Sequence, residues 1–412
     1  MIAAVLSILA FATHKQHRPV AAEAFDLCHH GKYLPALNLL DTAYHSSTGD
    51  QQNAVGQFLA YFTSFVGNDD GALDLFDRLT GPQAGGGPVD PATLSDLRAE
   101  DAIQAIVKES EGRRVVILNE AHEVPVCRHF ALTLAKALRR EGFELFGAET
   151  FAPEIQASWK GKYPKLTAGN YTCEPEFGNL LRGVMKLGYK GFAYEATSDP
   201  KTSSTPRDEE EADNIIRRAL TPYPSARIFI YCGWAHAYKV TNPDGPDIEK
   251  RMACYLKEKT GIDPLCIDQA RELPHSAPNF ETVEYRTLSN RITAPSVLKR
   301  PSGGYAIFGG LEGAVDLQVF HPRYGTTAGR PNWMAQEGRR PFTIPPQWTP
   351  KSGKVLIQAF LESEPADAVP VDQIILEPGK LVVPLMLPSG NYRIVVQDDS
   401  GSSRTIRKGG RV

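Results

Sequence analysis

The hydrophobic positions in the middle of the chain form short continuous runs separated by segments of helical spacing. Between residues 113 and 151, an apolar run covers 115–118, an amphipathic segment follows, and a second apolar run leads to Glu149. Short apolar runs on both sides of an amphipathic helix are typical of a βαβ unit with a buried parallel sheet. We therefore predict that this unit lies at the centre of the fold.

The same alternation continues towards the C-terminus. Strand-type runs cover 190–196, 227–231 and 263–268, and helix-type segments cover 174–187, 208–220 and 248–260. A further helix, over residues 93–112, leads into the first strand. The pattern predicts an α/β domain over residues 93–300, with a mainly parallel sheet and helices on both faces.

The chain before this domain has a helical pattern. Residues 23–80 contain two similar segments, in which Ala36 and Ala72 are equivalent positions. Their separation along the chain is close to the period of about 34 residues seen in tetratricopeptide repeats. The segment resembles a tetratricopeptide-like helical pair, with a plain helical cap as the alternative. Because so few repeats rarely fold alone, we expect these helices to pack on the α/β domain and to offer a surface for a protein partner. The Gly/Pro-rich residues 81–92 mark the boundary.

The last part of the chain has a different pattern. From residue 301 to 412, short β-type runs alternate with Gly, Pro and Ser. This spacing predicts a β-rich domain built as an antiparallel sandwich of immunoglobulin-like type. An alternative for its first part, VDLQVFHPRY and GRPNWM, is that it completes the central domain.

Composition narrows the classes of function. The chain has 412 residues, a net charge of −3 and no basic cluster, so nothing favours a nucleic-acid partner. The apolar run at the N-terminus is too short to span a membrane. It resembles a signal peptide over residues 1–22, with cleavage at 20–22, and predicts an exported protein, periplasmic or secreted. A buried N-terminal helix in a cytoplasmic protein is the alternative.

The cysteines give little functional information. There are six, and none forms a CxxC pair, which argues against a zinc ribbon or a thioredoxin motif. We expect buried thiols, with one or two disulfides as the alternative in an exported protein.

Acid–base residues follow the apolar runs at the predicted strand ends. Glu120 and His122 follow the first strand, Glu149 the second, Glu195 the third and His236 the fourth. A single such residue is commonly a cap or an ion-pair partner. Because the carboxyl ends of parallel strands meet at one edge of a sheet, we expect Glu120, His122, Glu149 and His236 to share a catalytic site there.

The residues alone leave two mechanisms open. Glu120, His122, Glu149 and His236 can hold a divalent ion such as Mn, Co or Zn that activates water. Alternatively, His122 or His236 takes a proton from water while Glu120 or Glu149 orients the imidazole. The patterns GxSxG, GxGxxG and GxxxxGK[ST] are missing, which disfavours covalent serine catalysis and the usual dinucleotide and P-loop sites.

Further residues near these strand ends are candidates for substrate binding. Arg128 can bind a substrate carboxylate or stabilise an oxyanion, with an exposed helix arginine as the alternative. Glu195, Trp234 and Tyr238 complete the predicted pocket, although aromatic residues there often serve packing.

The segment after the third strand is expected to face solvent. SDPKTSSTPRD is a polar loop that we interpret as a lid. Arg207 and the acidic residues 209–211 are expected to be a solvated helix start, with the acids at the positive end of the helix dipole.

Three short motifs, LNEAH, the AET strand end and GWAHAYK, together resemble the superfamily of erythromycin esterases, ChaN-like haem-binding lipoproteins and TIKI/TraB-type metalloproteases. The family pattern is Gly-Glu-x-His near a first strand, a Glu after the next strand and a later Gly-x-x-His. The resemblance covers about residues 95–270. The matching residues are Glu120, His122, Glu149 and His236, with Gly233 opening the last motif.

The resemblance implies a hydrolase of an ester, lactone or peptide bond, acting on a small-molecule or peptide substrate. The same histidines imply a haem- or metal-binding protein as the first alternative. The second alternative is an interaction scaffold whose N-terminal helices and β-sandwich are the working parts. The chain departs from the family at Asn119, where Gly is usual, and this change alters the turn or adds a hydrogen-bonding group.

Overall fold

The computed structural model describes residues 19–82, 94–198, 202–241 and 249–407. Most of the predicted signal peptide, most of the Gly/Pro-rich boundary, residues 199–201 of the predicted lid and the start of the helix predicted at 248 lie outside these ranges. The cleavage site expected at 20–22 falls in the first turn of a helix. In the described ranges, no helix combines the length and the apolarity needed to cross a bilayer.

Four helices begin the described chain, and each packs on the next. Their bounds are α1 Val20–His29, α2 Tyr33–Ser46, α3 Gly49–Phe65 and α4 Asp69–Thr80. The turn before α4 is made by Gly67, whose φ of 76° is one that side-chain-bearing residues rarely adopt. Asn68 then caps α4, since its side chain accepts a hydrogen bond of 3.1 Å from the backbone N–H of Gly71.

The central part of the chain alternates strands and helices. The strands are β1 Arg98–Asp101, β2 Val115–Glu120, β3 Phe143–Ala148, β4 Lys190–Ala193, β5 Arg227–Gly233, β6 Leu265–Asp268, β7 Ser296–Lys299 and β8 Leu317–Gln318. The helices are α5 Ala102–Glu109, α6 Val126–Arg140, α7 Ile155–Gly161, α8 Pro175–Lys186, α9 Arg207–Ile215, α10 Met252–Thr260 and α11 Val283–Leu288.

Six of these strands form one parallel sheet in the order β4-β3-β5-β2-β6-β8. The predicted α/β class with a parallel sheet is therefore confirmed. The chain moves from β2 to β3 and β4 on one side, then returns through β5 to β6 on the other. Ligands of such sheets bind beyond the carboxyl ends of the strands, where this direction reverses.

The side chains of the central strands alternate between two apolar cores. Val116 and Leu118 of β2 point to the core that α6 and α8 cover. Val115 and Ile117 point to the core that α9 and α10 cover. This two-residue period is the strand geometry itself, and it decides on which face each strand-end residue emerges.

The N-terminal helices share the core of the α6 face, as expected. Phe62 and Phe65 of α3 belong to the same buried cluster as Phe130 of α6 and Phe177 of α8. The hydroxyl of Tyr33 also donates a hydrogen bond of 2.7 Å to the carbonyl of Cys173. Folding of these helices is therefore coupled to folding of the α/β part.

The structure differs from the prediction at both ends of the α/β part. Residues 93–112 are not one helix, because β1 comes first and pairs antiparallel with β7. Asp101 then starts α5, and its carboxylate accepts a 2.8 Å hydrogen bond from the N–H of Gln104. At the other end, β8 from the VDLQVFHPRY segment pairs with β6, so this segment completes the central sheet.

The C-terminal part consists of antiparallel sheets. Its strands are β9 Thr326–Thr327, β10 Arg330–Pro331, β11 Arg340–Phe342, β12 Val355–Leu361, β13 Asp372–Leu376, β14 Leu385–Leu387, β15 Tyr392–Asp398 and β16 Ser403–Arg407. The four-stranded sheet β13-β12-β15-β16 and the pair β11-β14 enclose one core that contains Ile357, Ile394 and Leu385. The predicted sandwich-like arrangement is confirmed.

The cysteines of the chain lie in its apolar interior. All six are free and buried, as the sequence led us to expect. They play no part in cross-linking the fold.

The shared core predicts the effect of Phe62→Ala. Phe62 is 1% exposed, and its loss should lower the free energy of unfolding by about 3–5 kcal/mol, through lost burial and a cavity. Urea unfolding followed by far-UV circular dichroism measures this. Leu381→Ala, at a side chain that is 80% exposed, is the control and should change stability little. A change below about 1 kcal/mol for Phe62→Ala, or a separate early transition of the N-terminal helices, would contradict the shared core.

Candidate active site

Glu120 and His122 lie just beyond β2 and are held in one orientation. Oε1 of Glu120 lies 2.8 Å from Nδ1 of His122. Arg128 of α6 donates to both oxygens of Glu120, at 2.9 and 3.0 Å, and the hydroxyl of Tyr231 donates to Oε2 at 2.6 Å. A carboxylate bonded at Nδ1 fixes the tautomer of a histidine, which directs the free lone pair to Nε2.

Glu149 approaches the same edge from the α9 face. Oε1 accepts a hydrogen bond of 2.8 Å from Arg207 at the start of α9, and Oε2 accepts one from the backbone N–H of Gly233. Burial alone would raise the pKa of Glu149, but the positive charges of His236 and Arg207 outweigh burial and hold the pKa well below its usual range. Glu149 is therefore an ionised, buried carboxylate.

Gly233 separates the two halves and lets them meet. It ends β5, which runs between β3 and β2, and it pairs in register with Glu120. A Cβ at this position would lie 2.5 Å from Nε2 of His122 and 3.0 Å from Oε2 of Glu149. Only a residue without a side chain leaves these groups side by side, which explains the glycine that opens the GWAH motif.

His236 completes the group from the short helix Trp234–Ala237. Its Nδ1 lies 2.6 Å from Oδ1 of Asp208, and its Nε2 lies 3.8 Å from Oε1 of Glu149. The structure thus brings Glu120, His122, Glu149 and His236 to one edge of the sheet, each at most 4% exposed.

Two influences act on His236 in opposite directions. Nη1 of Arg207 lies 3.1 Å from Nε2, and because arginine can only donate, this contact requires a neutral imidazole. Burial also lowers the pKa of His236, but the carboxylates of Asp208, Glu149 and Glu211 outweigh it and raise the pKa to about 10. Three carboxylates against one guanidinium favour the imidazolium, whose Nε2–H can turn towards Glu149.

Aromatic rings from other parts of the chain cover the site. Tyr171 stacks on His122 with ring centroids 4.1 Å apart, and Tyr61 of α3 meets the same ring edge-on at 5.4 Å. Phe76 of α4 stacks on Trp234 at 5.6 Å. The N-terminal helices therefore form one wall of the site.

Two residues that border the site have unusual backbone geometry. Thr150, directly after Glu149, has a φ of 77°, and Trp234, directly after Gly233, has a φ of 41°. Such values are uncommon for residues with side chains and occur most often where the surrounding structure imposes them, as in functional sites. The backbone beyond β3 and β5 is thus fixed tightly where it carries the site residues.

The residues predicted to bind substrate have different environments. Arg128 is fully buried and binds Glu120, Glu174 and the carbonyl of His122. That contact set fits a residue that positions Glu120. Glu195 is partly exposed and accepts from Arg207 at 2.8 Å, so it belongs to the outer wall.

The two aromatic candidates also differ. Trp234 borders the site beneath Phe76. Tyr238 packs against the apolar core between α9 and α10. The packing alternative therefore describes Tyr238 better than a pocket role.

The helix does start at Arg207 with acids in its first turn, but the expectation of a solvated start was wrong for Arg207 and Glu211. Asp208 and Glu211 are buried on the inner face of α9, and Arg207 joins Glu149 to Glu195. The burial of these acids was not evident from the charged run, because two acids at i and i+3 face the protein interior only if cations there compensate them. The spacing of Asp208 and Glu211 was the one available signal.

The metal-ligand set predicted from sequence stays a prediction, and the structure offers a second candidate group. In the part of the chain that the structure describes, one group of three ligand-type residues has its donor atoms within 4.8 Å of one another: Asp208, Glu211 and His236. Of the predicted set, only His236 belongs to it.

Asn119 adds hydrogen-bonding groups at the end of β2, one of the two effects expected for it. Its Nδ2 donates to Oδ1 of Asp268 at 2.6 Å and to the carbonyl of Trp234 at 2.9 Å, and its Oδ1 accepts from the N–H of Gln269 at 2.7 Å. Asn119 therefore joins the ends of β2, β5 and β6 and strengthens the edge on which the site is built.

A small cavity lies beside the site, beneath α4. Its volume is about 20 Å³, and its lining includes Phe76, Ala121, Glu123, Trp234 and His275. This is room for about one water molecule. Burial raises the pKa of Glu123 to about 8, so its carboxyl is mostly protonated at neutral pH. The cavity is too small to hold a substrate.

The contacts of Arg128 predict the effect of Arg128→Met. Removing the cation takes the arginine ion pair from both Glu120 and Glu174, which stay buried, and this should cost about 3–5 kcal/mol of unfolding free energy. Arg140→Met, at an exposed position of the same helix, is the control. Urea denaturation of both variants measures the difference, and equal stability of the two would show that Arg128 does not compensate these carboxylates.

The carboxylates around His236 predict its titration. With the pKa raised from 6.5 to about 10, the charge of His236 stabilises the folded state fully below about pH 6.5, and this stabilisation is lost as the pH rises through about 10. NMR titration of the imidazole in EDTA should show a folded-state pKa well above 6.5, lowered in Asp208→Asn. Titration at or below 6.5 would contradict the assignment.

Comparisons with known proteins give limited information. No protein-family model matches the chain, and no curated protein matches it. Among solved structures, the type III effector HopBA1 is similar over 57% of this chain and 99% of its own, with 10% identity and a TM-score of 0.33. A structure described as bacterial protein toxins matches 61% of this chain and 57% of its own, with 15% identity and a TM-score of 0.32. RRSP, a MARTX toxin effector domain from Vibrio vulnificus, matches 55% of this chain and 53% of its own, with 15% identity and a TM-score of 0.30. At these scores, the similarities establish no activity for this chain.

Proposed function

We propose that this protein is a hydrolase that cleaves an acyl bond (an ester, lactone or peptide) with a water molecule activated by His122. The observation that carries the proposal is the pairing of two buried units across Gly233. One is a histidine oriented by Glu120, and the other is a carboxylate, Glu149, flanked by cations.

His122 is the proposed general base. Glu120 occupies Nδ1, so Nε2 is the basic nitrogen, and it faces Glu149 over the backbone of Gly233. A water between Nε2 and Oε2 of Glu149 would be oriented by the carboxylate and would give its proton to the imidazole. The water oxygen then bonds to the acyl carbon.

Arg207 and His236 are the proposed oxyanion stabilisers. Both lie next to Oε1 of Glu149, at 2.8 and 3.8 Å, and both are cationic at neutral pH by the argument above. As the tetrahedral intermediate forms, the carbonyl electrons move to oxygen, and fixed cations in a site with little water stabilise that charge. When the bond to the leaving group breaks, the proton on His122 passes to that group.

Substrate access is expected from the side of Arg207. Its side chain is 29% exposed and that of Glu195 is 25% exposed, whereas the catalytic set is almost fully buried. Tyr61 and Phe76 close the opposite side. The reactive acyl group therefore approaches past the guanidinium, which orients it.

The haem alternative fits the geometry poorly. Tyr171 stacks on His122, Tyr61 contacts the same ring edge-on, and Nε2 lies close to Gly233, so little space remains for a macrocycle at that nitrogen. The resemblance to the erythromycin esterase and TIKI/TraB superfamily is consistent with the hydrolase and forms part of the proposal.

Substitution of the proposed base and carboxylate tests the function. His122→Ala and Glu149→Gln should each lower kcat/KM by about 10²–10⁴-fold, the usual contribution of a positioned acid–base group. The assay is a panel of p-nitrophenyl esters, lactones and unstructured peptides, with circular dichroism to verify folding.

His45→Ala is the matched control, because this side chain is 71% exposed on α2. It should retain wild-type activity. If the wild-type protein hydrolyses a substrate and folded His122→Ala hydrolyses it equally fast, the proposal is wrong.

A further inference from the structure

Three side chains on the α9 side of the site have the composition of a metal-binding site. Asp208 and Glu211 lie one turn apart on the buried face of α9, and His236 faces them from beyond β5. Nδ1 of His236 lies 2.6 Å from Oδ1 of Asp208 and 3.5 Å from Oε2 of Glu211. Two carboxylates and one imidazole are a donor set that suits Mn²⁺, Co²⁺ or Zn²⁺.

The environment of Glu211 indicates a cation-binding role independently of this spacing. Its side chain is fully buried, and neither carboxylate oxygen has a hydrogen-bond partner. Nε of Arg207 lies 3.0 Å from Oε1 as an ion pair only. A buried carboxylate without hydrogen bonds is costly, and such groups in native proteins commonly serve a ligand.

The charges around Glu211 also leave room for a divalent cation. Among the residues that the structure describes, four carboxylates converge here, from Glu149, Glu195, Asp208 and Glu211, and the arginines that pair with them are Arg207 and Arg251. With all four carboxylates ionised and with His236 neutral, as coordination through Nδ1 requires, four negative charges against two positive charges leave an excess of two. One divalent ion removes this excess without protonating any member of the group.

We propose that Asp208, Glu211 and Nδ1 of His236 bind one divalent transition-metal ion. The remaining contacts favour this arrangement. Asp208 is already fixed, because Oδ1 also accepts a 2.7 Å hydrogen bond from the N–H of Met252.

Coordination at Nδ1 leaves Nε2 as an N–H, and Glu149 lies 3.8 Å away as its acceptor. A carboxylate behind a ligating histidine is the usual outer partner in metal sites. Arg207 then loses its contact with Nε2 of His236 and keeps its ion pair with Glu195. The metal would thus hold His236 in position beside Glu149. The metal site shares His236 with the proposed hydrolysis, but metal binding is measured without a substrate, so its failure is distinguishable from failure of the proposed function.

Titration of the full-length protein with Mn²⁺ tests the site. After treatment with EDTA and its removal, isothermal calorimetry should show one equivalent bound. Glu211→Gln and Asp208→Asn should each weaken binding at least about tenfold. Glu209→Gln is the matched control, because this acid lies on the same helix and pairs with Lys259 at the surface, and it should bind as the wild type does.

Pulsed EPR of the Mn²⁺-loaded wild type provides a readout that does not depend on how the variants fold. It should detect the ¹⁴N coupling of one imidazole. Stoichiometric binding with that coupling supports the site. Absence of stoichiometric binding, absence of the ¹⁴N coupling, or unchanged affinity in a folded Glu211→Gln would overturn it.

Discussion

Buried negative charge at the carboxyl edge of the central sheet is the constraint on which the site depends. Removing an ionised carboxylate from water costs several kcal/mol unless a cation and hydrogen bonds compensate it. Glu120 is compensated by Arg128 from the helix on one face, and Glu149 by Arg207 from the helix on the other. Each face of the sheet thus contributes a site carboxylate that is paired with an arginine.

The alternation of side chains along parallel strands brings these two units together. Glu120 emerges towards α6 and Glu149 towards α9, while β5 between them ends in Gly233. Without a side chain there, His122 and Glu149 face each other across the sheet edge. An oriented histidine, an ionised carboxylate and flanking cations then follow from strand order and from one glycine.

The N-terminal helices contribute directly to the site, because they cover it and share its hydrophobic core. Tyr61 contacts His122, and Phe76 contacts Trp234, so the site is sealed on this side by residues far away in sequence. Sealing lowers the local dielectric and strengthens every charge interaction inside. The helical segment is therefore part of the environment of the site.

Much of this could be predicted from the sequence, and the exceptions have physical reasons. Apolar runs that end in Glu120, Glu149 and His236 identify strands and their polar ends, since local periodicity decides both. The burial of Asp208 and Glu211 could not be predicted, because it depends on cations that only the tertiary fold supplies. The pairing of β1 with β7 likewise depends on a partner strand far along the chain.

The double-mutant cycle between His122 and His236 tests the central claim that the two faces form one site. The measured quantity is kcat/KM for wild type, His122→Ala, His236→Ala and the double variant on one acyl substrate. Groups that act as a unit are strongly non-additive, so the double variant should be about as slow as the slower single variant. Additive losses would contradict a shared site, and so would the absence of hydrolysis across all ester, lactone and peptide substrates.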